Sequence, residues 1–171
     1  MAHGTRAGVL KSSGRAIKSP AGLRLGMVAK RTAQAVWEGD LAKGHGHVTG
    51  TSGGLPDVAV SWASRTEASG GKTSPEELLA AAHAACFSMA LSAGLGRMQK
   101  PPQRLEVSVT VTFDKVGEAW KVTTSEVTVV GTVPGISAEE FEKAAQGAGQ
   151  NCPISGALKG NVAVTVHAKL A

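Results

Sequence analysis

Residues 74–96, S-P-E-E-L-L-A-A-A-H-A-A-C-F-S-M-A-L-S-A-G-L-G, constrain the fold more than any other stretch of this chain. Ser74 is an N-cap, Pro75 suits the first helical position, and Glu77 completes a Ser-x-x-Glu capping box. Glu76 and Glu77 sit at the positive end of the helix dipole, where carboxylates are stabilised. From Leu78 to Leu95 nothing is charged, and the only polar residues are His83, Ser88 and Ser92. An all-round apolar helix is expected to be buried. Its alanines let another backbone approach closely. At about 1.5 Å per residue it makes a rod of about 33 Å. That length suits a central spine or a helix shared between two subunits.

The 171 residues are enough for one domain with a real core, and 42% hydrophobic with 18% charged residues describes an ordinary globular chain. The apolar run is at the lower edge of membrane-spanning length, but its capping box and its interrupting His83, Ser88 and Ser92 favour a core helix over a membrane partner. The net charge of +5 belongs to one end. Residues 1–31 hold seven of the 18 basic residues and no acid, so residues 32–171 carry 11 basic and 13 acidic groups. The body is therefore expected to have no nucleic-acid surface, and the absence of tyrosine argues the same way. Residues 1–31 form a basic extension without the apolar core of a secretion signal, so a cytoplasmic location is expected. An upstream extension, a docking arm and a transit peptide are all open readings of it.

Residues 34–38, 45–51 and 58–62 read as short strands separated by Gly39-Asp40 and Ser52-Gly53-Gly54 turns. Residues 65–73 read as a flexible loop feeding the long helix, a usual place for binding residues. After Pro101-Pro102, Leu105, Val107, Val109, Val111 and Phe113 alternate with polar residues, predicting a half-buried strand. Gly117-Glu118 turns it into a second long strand. Ser137-Ala138-Glu139-Glu140 is another capping box, with Phe141, Ala144, Ala145 and Ala148 at helical spacing. A break at 151–153, a short helical piece and an alternating strand at 162–170 finish the chain. The order predicts an α+β fold, with antiparallel sheets packed around the helices.

Two cysteines are present, at a separation that fits no zinc or Cys-x-x-Cys pattern, and no metal or cofactor is expected. A lone cysteine such as Cys86 on an apolar helix reads first as a small hydrophobe. If reactive, it needs a cation, because a free thiol with pKa near 8.5 is only a few per cent thiolate at neutral pH. Cys152 lies at a helix restart, where free backbone N–H groups favour a thiolate. His83 shares a face with Cys86 and reads as a core histidine bonded to backbone. His45, His47 and His167 have no spacing that demands a metal.

The run T-S-P-E-E-L-L-A-A-A-H-A-A-C-F-S-M-A-L, with N-C-P-I-S at 151–155, W-E-G-D at 37–40 and V-P-G-I at 133–136, resembles the family of osmotically inducible protein C (OsmC) and organic hydroperoxide resistance proteins. The resemblance covers roughly residues 33–171 and lies with the OsmC branch. It implies an OsmC-like domain over residues 32–171 and an intertwined homodimer. The implied activity is that of a thiol-dependent peroxidase reducing organic hydroperoxides to alcohols. Cys86 would become a sulfenic acid and close a disulfide with Cys152, which an external dithiol, lipoyl-type or another small thiol, would reduce. Arg65 matches the arginine of the OsmC branch, with Lys43 the nearest basic residue at the position used by the other branch. Glu76 matches the family's glutamate. Ten residues of helix put it off the face of Cys86, so it suits an anchor for Arg65 rather than a base. Phe87 and Met89 are expected to wall the substrate site. The competing reading is a non-enzymatic dimeric redox sensor or ligand-binding module that uses the same cysteine pair.

Overall fold

A computed structural model describes residues 28–171, within which Thr32–Ala171 form one compact unit. Most of the basic extension, residues 1–27, lies outside the described residues. Strands β1 (Ala33–Glu38), β2 (His45–Gly50) and β3 (Val58–Ser61) make one antiparallel sheet in that order. A short helix α1 (Trp62–Thr66) and the long helix α2 (Pro75–Arg97) follow. The second sheet holds β4 (Arg104–Val116), β5 (Ala119–Thr132) and β6 (Ala163–Leu170), with β5 in the middle. Helices α3 (Ala138–Asn151) and α4 (Pro153–Leu158) connect β5 to β6.

One pairing departs from the expected antiparallel pattern. β6 runs parallel to β5, from Thr124↔Ala163 to Gly131↔Leu170. The reason is the connection: a parallel neighbour needs a long crossover, and α3 with α4 supplies it. The core lies between this sheet and α2 and α3, where Phe87, Leu91, Leu95, Val127, Val129, Phe141 and Ala145 are fully buried. Gly131 leaves room for the Phe141 ring, into which a Cβ at that position would run. No residue of the first sheet belongs to this core, and every residue of β1 is exposed.

Helix α2 is buried on one side only. Glu76, His83, Phe87, Leu91 and Leu95 form the inner stripe, while Ala82, Ala85, Met89, Ser92 and Ala93 stay exposed. Complete burial, expected from composition, is therefore not reached within one chain. By length and composition α2 is long and apolar enough to cross a membrane. α1 is a second departure, because Arg65 lies in its last turn rather than in a loop. A reciprocal capping box between Ser61 and Ser64 nucleates it, with both backbone N–H groups satisfied by the opposite hydroxyl.

Candidate active site

Cys86 and Cys152 reach each other because each continues an inner helical stripe. Cys152 lies eleven residues after Phe141, on the face of α3 that also buries Ala145 and Ala148, and it is only 1% exposed. It ends α3 and caps α4 at once, because Pro153 has no N–H to continue α3 but fits the first position of α4. Cys86 sits three residues past His83, at the edge of the inner stripe of α2, and is half-buried. The two sulfurs are 3.0 Å apart as free thiols. A bonded pair would be at about 2.05 Å. Cys86 opens on a cavity of about 510 Å³ lined also by Met89, Ala90, Ala93, Arg97, Asn151 and Pro153. Met89 belongs to this wall, whereas Phe87 is fully buried in the core and does not.

The pair is electrically asymmetric. Burial raises the Cys152 thiol, but the backbone N–H and hydroxyl of Ser155, the Cys86 thiol and the N–H of Ile154 outweigh it and leave Cys152 below its ordinary value. Those N–H groups approach the sulfur without closing a formal side-chain cap. Cys86 is pushed up by burial and by Cys152, with only the N–H of Ile154 opposing. In the neutral pair Cys152 donates to Cys86. The surroundings of Cys152 therefore favour a thiolate and those of Cys86 disfavour one.

Arg65 and Glu76 form a separate pair. Arg65 Nη2 donates to Glu76 Oε1 at 2.7 Å, and Nε donates to both carboxylate oxygens at 3.0 and 3.1 Å. The guanidinium carbon stands 3.9 Å from the centroid of Phe113. A β-bulge between Thr112 and Phe113 precedes this ring, which stacks on Trp120 at 5.0 Å. Glu76 is 8% exposed in the first turn of α2, at the positive end of the helix dipole. This pair lines a cavity of about 440 Å³ that does not include Cys86. Ten residues of helix separate Glu76 from Cys86 by about 15 Å along the axis. Within one chain, then, the structure joins Cys86 to Cys152 and Arg65 to Glu76, and leaves the two pairs apart. Lys43 is exposed in the turn between β1 and β2.

His83 is fully buried, and its partners are side chains rather than backbone: Nδ1 lies 2.8 Å from Ser125 Oγ and Nε2 lies 2.8 Å from Ser155 Oγ. Sequence reading missed both serines. The signals were present, since Ser125 occupies an inward position of β5 with Val127 and Val129, and Ser155 follows the capping Cys152 by three. His45 and His47 pair with exposed Glu38 and Asp57 at 3.4 and 3.3 Å. Among the described residues no cluster of three or more His, Cys, Asp and Glu side chains is arranged to hold a metal ion.

Comparison with known proteins gives this arrangement a context. Residues 68–167 match the model of the family described as OsmC-like protein. Peroxiredoxin OsmC of Escherichia coli is 38% identical over 143 residues, covering 84% of this chain and 99% of the relative. Organic hydroperoxide resistance protein OhrA of Bacillus subtilis is 34% identical over 113 residues, covering 65% of this chain and 77% of the relative. Among solved structures, an organic hydroperoxide resistance protein OsmC from Legionella pneumophila superposes with a TM-score of 0.63 at 26% identity, covering 83% of this chain and 99% of that one. OhrB of Bacillus subtilis superposes with a TM-score of 0.60 at 29% identity, covering 81% and 98%. With its long helix and both cysteines inside the matched residues 68–167, this chain belongs to the OsmC-like protein family.

Proposed function

We propose that the chain is a thiol-dependent peroxidase that reduces organic hydroperoxides to alcohols, in the cytoplasm and as a homodimer. The observation that carries this reading is the 3.0 Å thiol pair in which Cys86 faces a cavity and Cys152 is sealed behind it. Only Cys86 is open to a peroxide. Its thiolate attacks one peroxide oxygen, the O–O bond breaks, and the alkoxide leaves as the alcohol after taking a proton. Cys86 becomes a sulfenic acid. The Cys152 thiolate then attacks that sulfur, hydroxide leaves and is protonated to water, and a Cys86–Cys152 disulfide forms. A small dithiol of the lipoyl type regenerates both thiols by exchange. The names of the relatives, peroxiredoxin and organic hydroperoxide resistance protein, support the same chemistry.

The charge on the reduced pair rests on Cys152, one proton transfer across 3.0 Å from Cys86. A guanidinium at Cys86 would draw that charge to the attacking sulfur and stabilise the developing alkoxide. Arg65 is the candidate for that cation, with Glu76 as its anchor. Glu76 engages Nε and Nη2 and leaves Nη1 for an anion. A second copy packed on the exposed alanine side of α2 would cover that apolar surface and bring an Arg65–Glu76 pair to Cys86. Steady-state consumption of cumene hydroperoxide with dihydrolipoamide tests the reading. Sustained turnover is expected. Consumption of a single equivalent per chain would overturn it in favour of a sensor.

A further inference from the structure

The chain has three tryptophans, three phenylalanines and no tyrosine, and only Phe87 and Phe141 join the core. Three of the other rings gather at one guanidinium instead. The Phe113 ring is centred 3.9 Å from the guanidinium carbon of Arg65, and the Trp62 ring 5.9 Å from it. Trp120 stacks on Phe113 with centroids 5.0 Å and planes 14° apart, and meets Trp62 edge-on at 6.1 Å. Trp120 is 50% exposed, so burial gives little reason to place so large a ring there.

The backbone shows how Trp120 reaches this cluster. Thr112 pairs with Thr124, but Phe113 pairs with Val122, so Thr123 is an extra residue in β5. One extra residue switches which side chains of a strand share a face. Ser125, Val127 and Val129 are the buried residues of β5 before the bulge is reached from the core side. Beyond it, the even-numbered Val122 and Trp120 share the face of Phe113. Without Thr123, Trp120 would lie on the opposite face.

The carboxylate and the ring constrain different parts of Arg65. Glu76 accepts from Nε and Nη2, which fixes one edge of the planar fork. A flat π surface against its face opposes tilting about that edge, which an aliphatic neighbour would not do as well. Nη1 has no hydrogen-bond partner among the described residues. We propose that Phe113, held by Trp120, is a positioning residue that fixes the plane of the Arg65 guanidinium and so presents its unpaired Nη1 to the reacting peroxide. The proposal deepens the peroxidase reading, in which Arg65 supplies the cation, and takes its functional meaning from it.

Phe113→Leu tests this, because it keeps an apolar side chain and removes the π face. It should lower kcat/KM for cumene hydroperoxide about tenfold, whereas Phe113→Tyr, which keeps the ring, should stay near the unmodified protein. In Arg65→Ala protein the same Phe113→Leu change should cost nothing further. Equal losses in both backgrounds would make Phe113 a packing residue and overturn the proposal, as would an unchanged kcat/KM in Phe113→Leu alone. A second readout needs no peroxide. Nitrogen-15 spectra of the reduced protein follow the Arg65 Nε–H, assigned by its absence in Arg65→Ala. Its exchange with water should be slow in the unmodified and Phe113→Tyr proteins and about tenfold faster in Phe113→Leu. Equal exchange in all three would overturn the platform. Ring-dependent exchange in a protein without peroxidase turnover sinks the functional reading alone.

Discussion

The start and the middle of α2 carry two pairs with opposite characters. At the first turn, Arg65 and Glu76 form a closed ion pair, bound by three hydrogen bonds and backed by Phe113. Ten residues on, Cys86 and Cys152 are two thiols in contact, and no cation figures among the groups that set either pKa. The first pair holds strong charge with no reactive atom. The second holds the proposed nucleophile beside a less accessible thiol whose surroundings favour the thiolate. In the reading proposed above these are the two halves of a peroxide-reducing site, and one chain keeps them about 15 Å apart along one helix. In the dimer proposed above, the exposed alanine stripe between and beyond them is where a second copy would close that gap.

The largest effect should come from Cys86→Ser. An alcohol is not ionised near neutral pH and cannot form a sulfenate, so peroxide consumption should disappear; residual turnover with cumene hydroperoxide would move the chemistry to Cys152. Next is Arg65→Ala, which should slow peroxide reduction by about 10²- to 10³-fold, the usual loss for one well-aimed donor. Mixing and reassembling Arg65→Ala chains with Cys86→Ser chains sharpens the comparison. If the arginine acts on the other copy's cysteine, the mixture regains activity that neither variant has. If the mixture stays inactive, the two pairs act within one chain, or not together. A crippled Lys43→Ala would assign the cation to the turn between β1 and β2 instead.

Cys152→Ser should keep the first turnover and lose the rest. Mass spectrometry should find a Cys86 sulfenic acid that over-oxidises with excess peroxide, whereas the unmodified chain loses two thiols to one disulfide. Ala82→Glu places a charge on the exposed stripe of α2 without touching the core. In a monomer such a surface change costs within about 0.5 kcal/mol. In a dimer built on that stripe it should convert the sedimenting species to a monomer and reduce activity.

The smallest effect belongs to Glu140, which caps α3 far from both pairs. Its carboxyl is held at about 2 by the Ser137 N–H, Lys100 and the Ser137 hydroxyl. A depressed carboxyl contributes stability that is complete above its unfolded value of about 4.3 and is lost as pH falls toward the folded one. Glu140→Gln should therefore lower the melting temperature slightly at pH 6 and flatten its fall between pH 4 and 2. An unchanged acid profile would remove Glu140 from that account.

What could be read from the chain and what could not divide by distance. Ser74-Pro75-Glu76-Glu77 begins a helix and Ser137 with Glu140 caps another, because these signals act within one turn of backbone. The alternation of Leu105 to Phe113 gives the face of β4 for the same local reason. The helix carrying Arg65 escaped notice because its cap uses Ser64 in place of the usual Glu or Gln. The pairing partners of His83 escaped because they lie 42 and 72 residues away, and only the packing of α2 on β5 and α4 brings them within 2.8 Å.

By itself, then, the sequence determined the order of the elements, the long uncharged helix, the capping residues and the two cysteines whose company resembles a known family. Each follows from interactions within a few residues or from a linear motif. The tertiary structure decided that β6 lies parallel to β5, that Cys86 meets Cys152 across 66 residues, and that Arg65 closes on Glu76 away from both. It also gave the two thiols different surroundings, lowering the pKa of Cys152 and raising that of Cys86. Two cysteines of equal intrinsic acidity differ only in which backbone N–H groups, hydroxyls and buried surfaces surround them, and those neighbours exist only once the helices have packed.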